Sequence, residues 1–215
     1  MIITGSRVST LLSSAALNFT NCNIRLNSTL LSLVLRSFSK TTDSYDPKVD
    51  YFKVLGVERS YDTSQEVLKK HYRGKMKELH PDKHTLKPME EREKVAELTS
   101  QVTSGYEMLS DDYKRALHLL DLEGHAIKDD ISGNILGTEF LMKIMEFRED
   151  VDDAQSDEEL KKLHQENMER MDTTIHDLMN AFYARDFDRA KRLTATLQYW
   201  NRIQETIREK LSCLE

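Results

Sequence analysis

The sequence predicts an all-α protein in which an N-terminal helical hairpin is followed by a C-terminal antiparallel bundle of three helices. Three observations lead there. The 215 residues hold only seven glycines and three prolines. Long stretches are written in Leu, Glu, Lys, Gln, Met and Arg, which favour helix because they lose little side-chain freedom in it. Apolar residues then recur at intervals of three and four, the period of one helix face. With 39% hydrophobic and 32% charged residues, the chain can support one or two domains of about a hundred residues each.

Charge divides the chain before any helix does. Residues 1–42 contain Arg7, Arg25, Arg36 and Lys40 and no acid, so the net charge of −6 leaves −10 for the rest. An acid-free, Ser/Thr-rich, Arg-containing start with interspersed Leu is the composition of an organelle transit peptide. The arginines are scattered rather than gathered ahead of one apolar block, which fits mitochondrial import better than secretion. "RSFSK" is similar to matrix-protease cleavage sites and places the mature start near Ser39. The longest apolar run, "LLSLVL" at 30–35, falls far short of the roughly 20 residues that cross a bilayer, so the mature protein is expected to be soluble. Cys22 and Cys213 are the only cysteines, which excludes a disulfide framework and a Cys-x-x-Cys zinc site.

After the polar linker "TTDSYDPKVD", "YFKVLGV" reads as a short helix stopped by Gly56 in left-handed C-cap geometry. Thr63 and Glu66 have the spacing of a capping box ahead of a second helix with an apolar row at Leu68, Tyr72, Met76 and Leu79. Its opposite face is basic: Lys69, Arg73 and Lys77 form an i, i+4, i+8 column beside Lys70. Pro81 excludes the helical conformation from the residue before it, so this helix is expected to end around His80. A third helix is predicted from about Pro88 to Leu109, with Val95, Leu98, Val102, Tyr106 and Leu109 as its stripe. Two stripes of similar length bury each other in an antiparallel pair and leave the loop 80–88 at one tip, carrying His80, Pro81 and Asp82.

His80, His84 and Asp82 could in principle supply metal ligands, yet they lie on a loop with no thiol or further ligand that the sequence obliges to join them. The other histidines, His71, His118, His125, His164 and His176, are scattered among charged helical residues and are expected at surfaces. No phosphate loop, His-Glu-x-x-His or nucleophile elbow is present. The sequence therefore predicts no catalytic residue, no cofactor and no metal.

Gly124, Gly133, Asn134 and Gly137 are expected to break the chain before Thr138 opens the helix "EFLMKIMEFREDVDDA". Phe140, Ile144, Phe147 and Val151 make a core face, while Leu141, Met142 and Met145 lie beside it and run on into Glu146, Glu149 and Asp153. Periodicity alone does not separate a docking face from a helix buried between two neighbours. The next helix, opened by the Ser156-x-x-Glu159 box, carries Leu160, Leu163, Met171, Ile175, Leu178 and Phe182. The last carries Leu193, Leu197, Trp200, Ile203, Ile207 and Leu211, with Tyr199 one position off the row and able to reach the same surface. Short connections make these an antiparallel bundle.

The order "YFKVLGV", basic helix, "HPDK" and a helix ending "YEMLSDDYKR" resembles the J-domain of DnaJ-type cochaperones. "GTEFLMKIMEFREDVDDA" and "LQYWNRI" extend the likeness, over nearly all of 50–214, to the HscB type, the mitochondrial Jac and bacterial HscB proteins. The resemblance implies a J-domain at 51–122 and a C-terminal scaffold-binding bundle at 138–215. A transit peptide at 1–42, a linker at 43–50 and a connector at 123–137 complete the expected division. It further implies that His80, Pro81 and Asp82, with Lys69, Lys70, Arg73 and Lys77, dock on a mitochondrial heat-shock 70 (DnaK-type) chaperone and stimulate its ATPase. Leu141, Met142, Met145, Glu146, Glu149, Asp153 and Tyr199 would hold the IscU-type iron–sulfur scaffold protein. The implied protein is an adaptor of the mitochondrial matrix, with no chemistry of its own and no nucleic-acid or membrane partner. Some animal members carry an N-terminal zinc-binding pair of Cys-x-x-Cys motifs, absent here. The alternative is a general J-domain cochaperone for unfolded mitochondrial clients, which usually brings a Gly/Phe-rich linker or a substrate-binding β domain. Neither is written in this chain.

Overall fold

The computed structural model describes residues 49–127 and 132–214, so the expected transit peptide and its cleavage site lie outside the described residues. Among the described residues the elements longer than a single turn are seven helices: α1 (Tyr51–Leu55), α2 (Gln65–Glu78), α3 (Met89–Ser110), α4 (Asp112–Leu122), α5 (Ser132–Asp153), α6 (Asp157–Tyr183) and α7 (Phe187–Leu214). A single 3₁₀ turn, Pro81–Lys83, sits between α2 and α3. There is no β-strand among the described residues.

The local signals explain most of the helix ends. Asp50 caps α1 by accepting the Lys53 N–H at 3.3 Å, and Gly56 closes it at φ 73°, a conformation that L side chains resist. Burial pushes the Asp50 carboxyl up, but the Arg59 hydrogen bond, the Lys53 amide and the charges of both residues outweigh it and hold the carboxyl below its ordinary value. The α2 cap differs from the expected box. Ser64, not Thr63, takes the extended conformation and accepts from the Val67 N–H, while the Thr63 hydroxyl donates to the Ser60 carbonyl at 3.0 Å. Two adjacent hydroxyl residues can each cap, and the turn from Ser60 occupies the first of them. At α6 the Ser156–Glu159 box forms in both directions. The connector also departs from expectation. Gly133 and Asn134 lie within a helical turn that begins at Ser132, and only Gly137, at φ 75° and ψ 159°, interrupts the helix before Thr138.

α2 and α3 pack as the expected hairpin, with Tyr72 and Tyr106 stacked at 4.4 Å between ring centroids, but Leu98 of the expected stripe is 47% exposed, because the part of α3 nearer the tip extends past the core. α1 lies across α3, and α4 turns back at Asp111 to pack on both α3 and α7. The corner is held by Arg115. Its buried guanidinium donates to the carbonyls of Leu109 and Tyr61, both at 2.7 Å, and pairs with Asp112 at 3.1 Å. A buried cation is tolerated only when its donors are occupied in this way.

The N-terminal helices and the bundle share a core. Tyr51, Phe52, Leu55, Leu68, Leu109, Leu119 and Leu120 form one buried cluster with Leu178, Ala181, Ala190 and Leu197 from α6 and α7. Tyr61 stacks on Phe182 at 5.1 Å and His125 on Phe187 at 4.5 Å, while Arg185 pairs with Glu123 at 3.0 Å. A second cluster, of Ile144, Phe147, Val151, Leu160, Trp200, Ile203 and Ile207, closes α5 onto α6 and α7. Inside the bundle Asn167 donates to the Trp200 carbonyl at 3.1 Å and to Gln204 at 2.9 Å, fixing the register of α6 against α7.

His118 corrects the surface expectation for the histidines. It is buried, accepts the Tyr51 N–H at Nε2 (3.2 Å), and lies parallel to the Phe52 ring at 5.8 Å. Its position, two after Ala116 and one before Leu119, placed it on the face that α4 turns to α1. Burial lowers its pKa, with Arg59 adding to the effect and Asp50 and Asp121 opposing it. A group with a lowered folded pKa adds stability that is complete above its unfolded value of about 6.5 and is lost as pH falls from there to the folded value. The urea midpoint of the protein is therefore expected to drop between pH 7.5 and pH 5.5, and His118→Gln to flatten that drop. Equal slopes in the two proteins would show that His118 does not hold its proton off in the fold.

Candidate functional site

The tip of the α2–α3 hairpin is built from the end of a helix and a proline. α2 ends at Glu78 with Leu79 as its C-cap, and His80 takes an extended ψ of 130°. Pro81 then starts a 3₁₀ turn, in which Lys83 N–H donates to the His80 carbonyl at 3.0 Å and His84 N–H to the Pro81 carbonyl at 2.9 Å. The His80 ring accepts the Asp82 N–H at Nδ1 (3.3 Å). In the neutral ring the proton is then on Nε2, as a donor free to face a partner. The Asp82 side chain is 88% exposed and that of His80 is 57% exposed, with 3.5 Å between Asp82 Oδ2 and His80 Nδ1. Pro81 is exposed as well.

Lys69, Lys70, Arg73 and Lys77 are all exposed on α2, and no ion pair to an acid is seen for any of them among the described residues. Leu68 is buried and Tyr72, Met76 and Leu79 are half-buried on the other side. The structure thus puts a strip of unneutralised cations on the same helix that ends in the turn. In such a strip the charges act on the rate of encounter with an acidic surface more than on the final affinity.

The second set of residues lies on α5 and α7. Ile144, Phe147 and Val151 are buried and Phe140 packs beside them, as the periodicity predicted. Met142 is 56% and Met145 41% exposed, Leu141 is half-buried, and Glu146, Glu149 and Asp153 are exposed. The outward side of α5 is therefore an apolar surface that continues into carboxylates. Tyr199 meets the edge of Phe140 at 6.1 Å, which places it next to the start of that surface. It is half-buried, and burial raises its phenol pKa, with Arg202 opposing. It is thus an aromatic rim rather than a free side chain.

Sequence reasoning passed over Arg170 of α6. Its guanidinium lies 4.1 Å from the centre of the Phe147 ring and 5.2 Å from that of Trp200, and it pairs with Glu166 at 3.0 Å. With Phe140, Lys143, Glu146 and Asp150, the side chains of Phe147, Arg170 and Trp200 line a recess beside α5. Cation–π spacing across two helices leaves no period in the sequence, so no local signal marks it. Among the described residues, no group of three or more His, Cys, Asp or Glu is placed to hold a metal ion. No helix among them is long and apolar enough to cross a membrane.

Comparison with known proteins matches both halves. Residues 50–118 match the family described as "DnaJ domain", and residues 136–208 the family described as "HSCB C-terminal oligomerisation domain". The chain is 32% identical over 123 residues to the "Co-chaperone protein HscB homolog" of Shewanella loihica, covering 54% of this chain and 69% of that one. It is 30% identical over 166 residues to the "Iron-sulfur cluster co-chaperone protein HscB homolog" of Arabidopsis thaliana. That match takes in 77% of this chain and 65% of the Arabidopsis protein, so it spans just under two thirds of that relative. Among solved structures, that of the human co-chaperone protein HscB superposes with a TM-score of 0.71 at 25% identity, over 80% of this chain and 87% of that chain.

Proposed function

The chain belongs to the HscB/Jac family of J-domain co-chaperones, and from that premise we propose that it is the adaptor between a heat-shock 70 (DnaK-type) chaperone and an IscU-type iron–sulfur scaffold protein. The observation that carries the proposal is the exposed His80-Pro81-Asp82 turn at the end of the cationic face of α2. An ionised Asp82 can only accept, so it is suited to a cationic donor on the chaperone, and the His80 Nε2–H supplies a donor beside it. Pro81 and the 3₁₀ turn stiffen the apex before docking, which lowers the ordering cost of binding. Lys69, Lys70, Arg73 and Lys77 would steer the approach. The docked turn is proposed to stimulate hydrolysis of ATP by the chaperone, each tenfold of acceleration needing about 1.4 kcal/mol off its barrier.

The scaffold would seat on Leu141, Met142, Met145 and Tyr199, with Glu146, Glu149 and Asp153 as the polar rim. Methionines adapt to a partner's shape, and exposed apolar side chains edged with charge are the usual make-up of a docking surface. Holding both partners on one chain raises the concentration of each near the other. Cluster transfer from the scaffold would follow while the chaperone holds it. A matrix location is part of the proposal, supported by the acid-free, Arg-containing segment 1–42.

The test is the ATPase of the DnaK-type chaperone with this protein alone, with the scaffold alone, and with both. Stimulation by the protein alone and a larger one with both is expected. If denatured clients replaced the folded scaffold with equal effect, a general cochaperone would be the better description.

A further inference from the structure

The His-Pro-Asp turn does not stand on its own backbone. A three-residue 3₁₀ turn has poor hydrogen-bond geometry and little cooperativity, so its population in an exposed loop depends on what clasps it. Two side chains immediately downstream do so. The His84 ring reaches back six residues and its Nε2 lies 3.1 Å from the Glu78 carbonyl at the end of α2. A carbonyl only accepts, so Nε2 carries the proton and the bond ties the far side of the turn to the helix. The Thr85 hydroxyl is 3.0 Å from the Asp82 carbonyl and 3.3 Å from that of Pro81, so its one proton is shared between two peptide groups of the tripeptide itself. Together with the two backbone bonds of the turn, these contacts draw the carbonyls of Pro81 and Asp82 inward. The Asp82 carboxylate and the outer edge of His80 are left facing solvent.

We propose that His84 and Thr85 are positioning residues that hold His80, Pro81 and Asp82 in the conformation the chaperone meets. The proposal rests on the reading of this turn as the chaperone-docking element. Neither residue need touch the partner. When only a fraction of molecules has the competent turn, the apparent dissociation constant rises by the inverse of that fraction, while the bound complex and its effect are unchanged. His84→Phe keeps a ring and removes the donor; Thr85→Val keeps the shape and removes the hydroxyl. Each loses about one net hydrogen bond, a factor of about five in the ratio of formed to open turn, which lowers the formed population by up to about fivefold.

The experiment titrates the full chain and each variant against the DnaK-type chaperone and reads ATPase stimulation. H84F and T85V are each expected to raise the half-stimulating concentration by up to about fivefold with the maximal rate unchanged. H84Q, whose amide can donate to Glu78, and T85S are expected to restore it. A merely structural role would lower the thermal midpoint and leave the half-stimulating concentration alone well below melting. Wild-type values for H84F and T85V, with His80→Gln inactive in the same assay, would overturn the proposal. So would a lowered maximal rate at an unchanged half-stimulating concentration, which would mean direct contact with the chaperone. Hydrogen exchange at the Lys83 and His84 amides of the free protein is the second readout, and it needs no chaperone. Faster exchange in both variants is expected, and unchanged exchange would overturn the clasp even if the docking reading had itself failed in the first assay.

Discussion

A His80→Gln protein is expected to bind the iron–sulfur scaffold as wild type does and to give no measurable stimulation of the chaperone. The side chain is exposed and lies outside both buried clusters, so the substitution leaves the fold intact. What it removes is the flat ring that accepts the Asp82 N–H on one side and presents a donor on the other. Loss of a central anchor costs about 2 kcal/mol or more, roughly thirtyfold in affinity. Leu141→Ala combined with Tyr199→Ala is expected to do the reverse. If both are anchors, scaffold affinity falls by about 3 kcal/mol, more than a hundredfold, with the sum kept below two full terms because neighbouring contacts do not add. Chaperone stimulation without scaffold is expected to persist. Tyr199 also covers Phe140, so the single Leu141→Ala protein is the control for lost packing. Scaffold titration by calorimetry and an ATPase assay on each folded variant decide the matter. Loss of both activities in either variant would mean that the two surfaces are not separate.

Leu197→Ala carries the second large effect, on stability. Leu197 is 1% exposed in the cluster that joins α1, α3 and α4 to α6 and α7. Truncating such a leucine removes its transfer free energy and leaves a cavity, at a cost of about 3 kcal/mol. The consequence for cooperativity is the more telling one. If the J-type half and the bundle were separate folding units, Leu197→Ala would unfold the bundle early and leave α2 and α3 in place. With one core between them, both are expected to unfold together at a lower denaturant concentration. Trp200, the single tryptophan, reports the bundle by fluorescence, and amide exchange in α3 reports the hairpin. Midpoints that separate in the variant would show two independent units.

Local rules made much of this legible beforehand. The rows at Leu68–Leu79 and Leu193–Leu211 became the packed faces of α2 and α7, and Gly56 and the Ser156–Glu159 box closed and opened helices where their chemistry required. Pro81 placed the tripeptide at a tip because its ring restricts the residue before it, a constraint that acts over one peptide bond. The helical period set Met142 and Met145 beside the buried row of Ile144 and Phe147, and the structure shows that side exposed.

By itself, then, the sequence determined the helices, the exposed turn and the cationic face of α2, because each depends on contacts within a few residues or on one repeating period, while the exposure of Met142 and Met145 came from the structure. Only the tertiary structure decided that Ser64 rather than Thr63 caps α2, that His118 is inside, and that Tyr199 leans on Phe140. It alone showed that α4 fuses the two halves through Leu119, Leu120, Leu178 and Leu197. The last three are settled by which surface comes to lie against which, and partners separated by tens of residues leave no period in the chain for a local rule to find, whereas the cap is settled by the competing turn at Ser60.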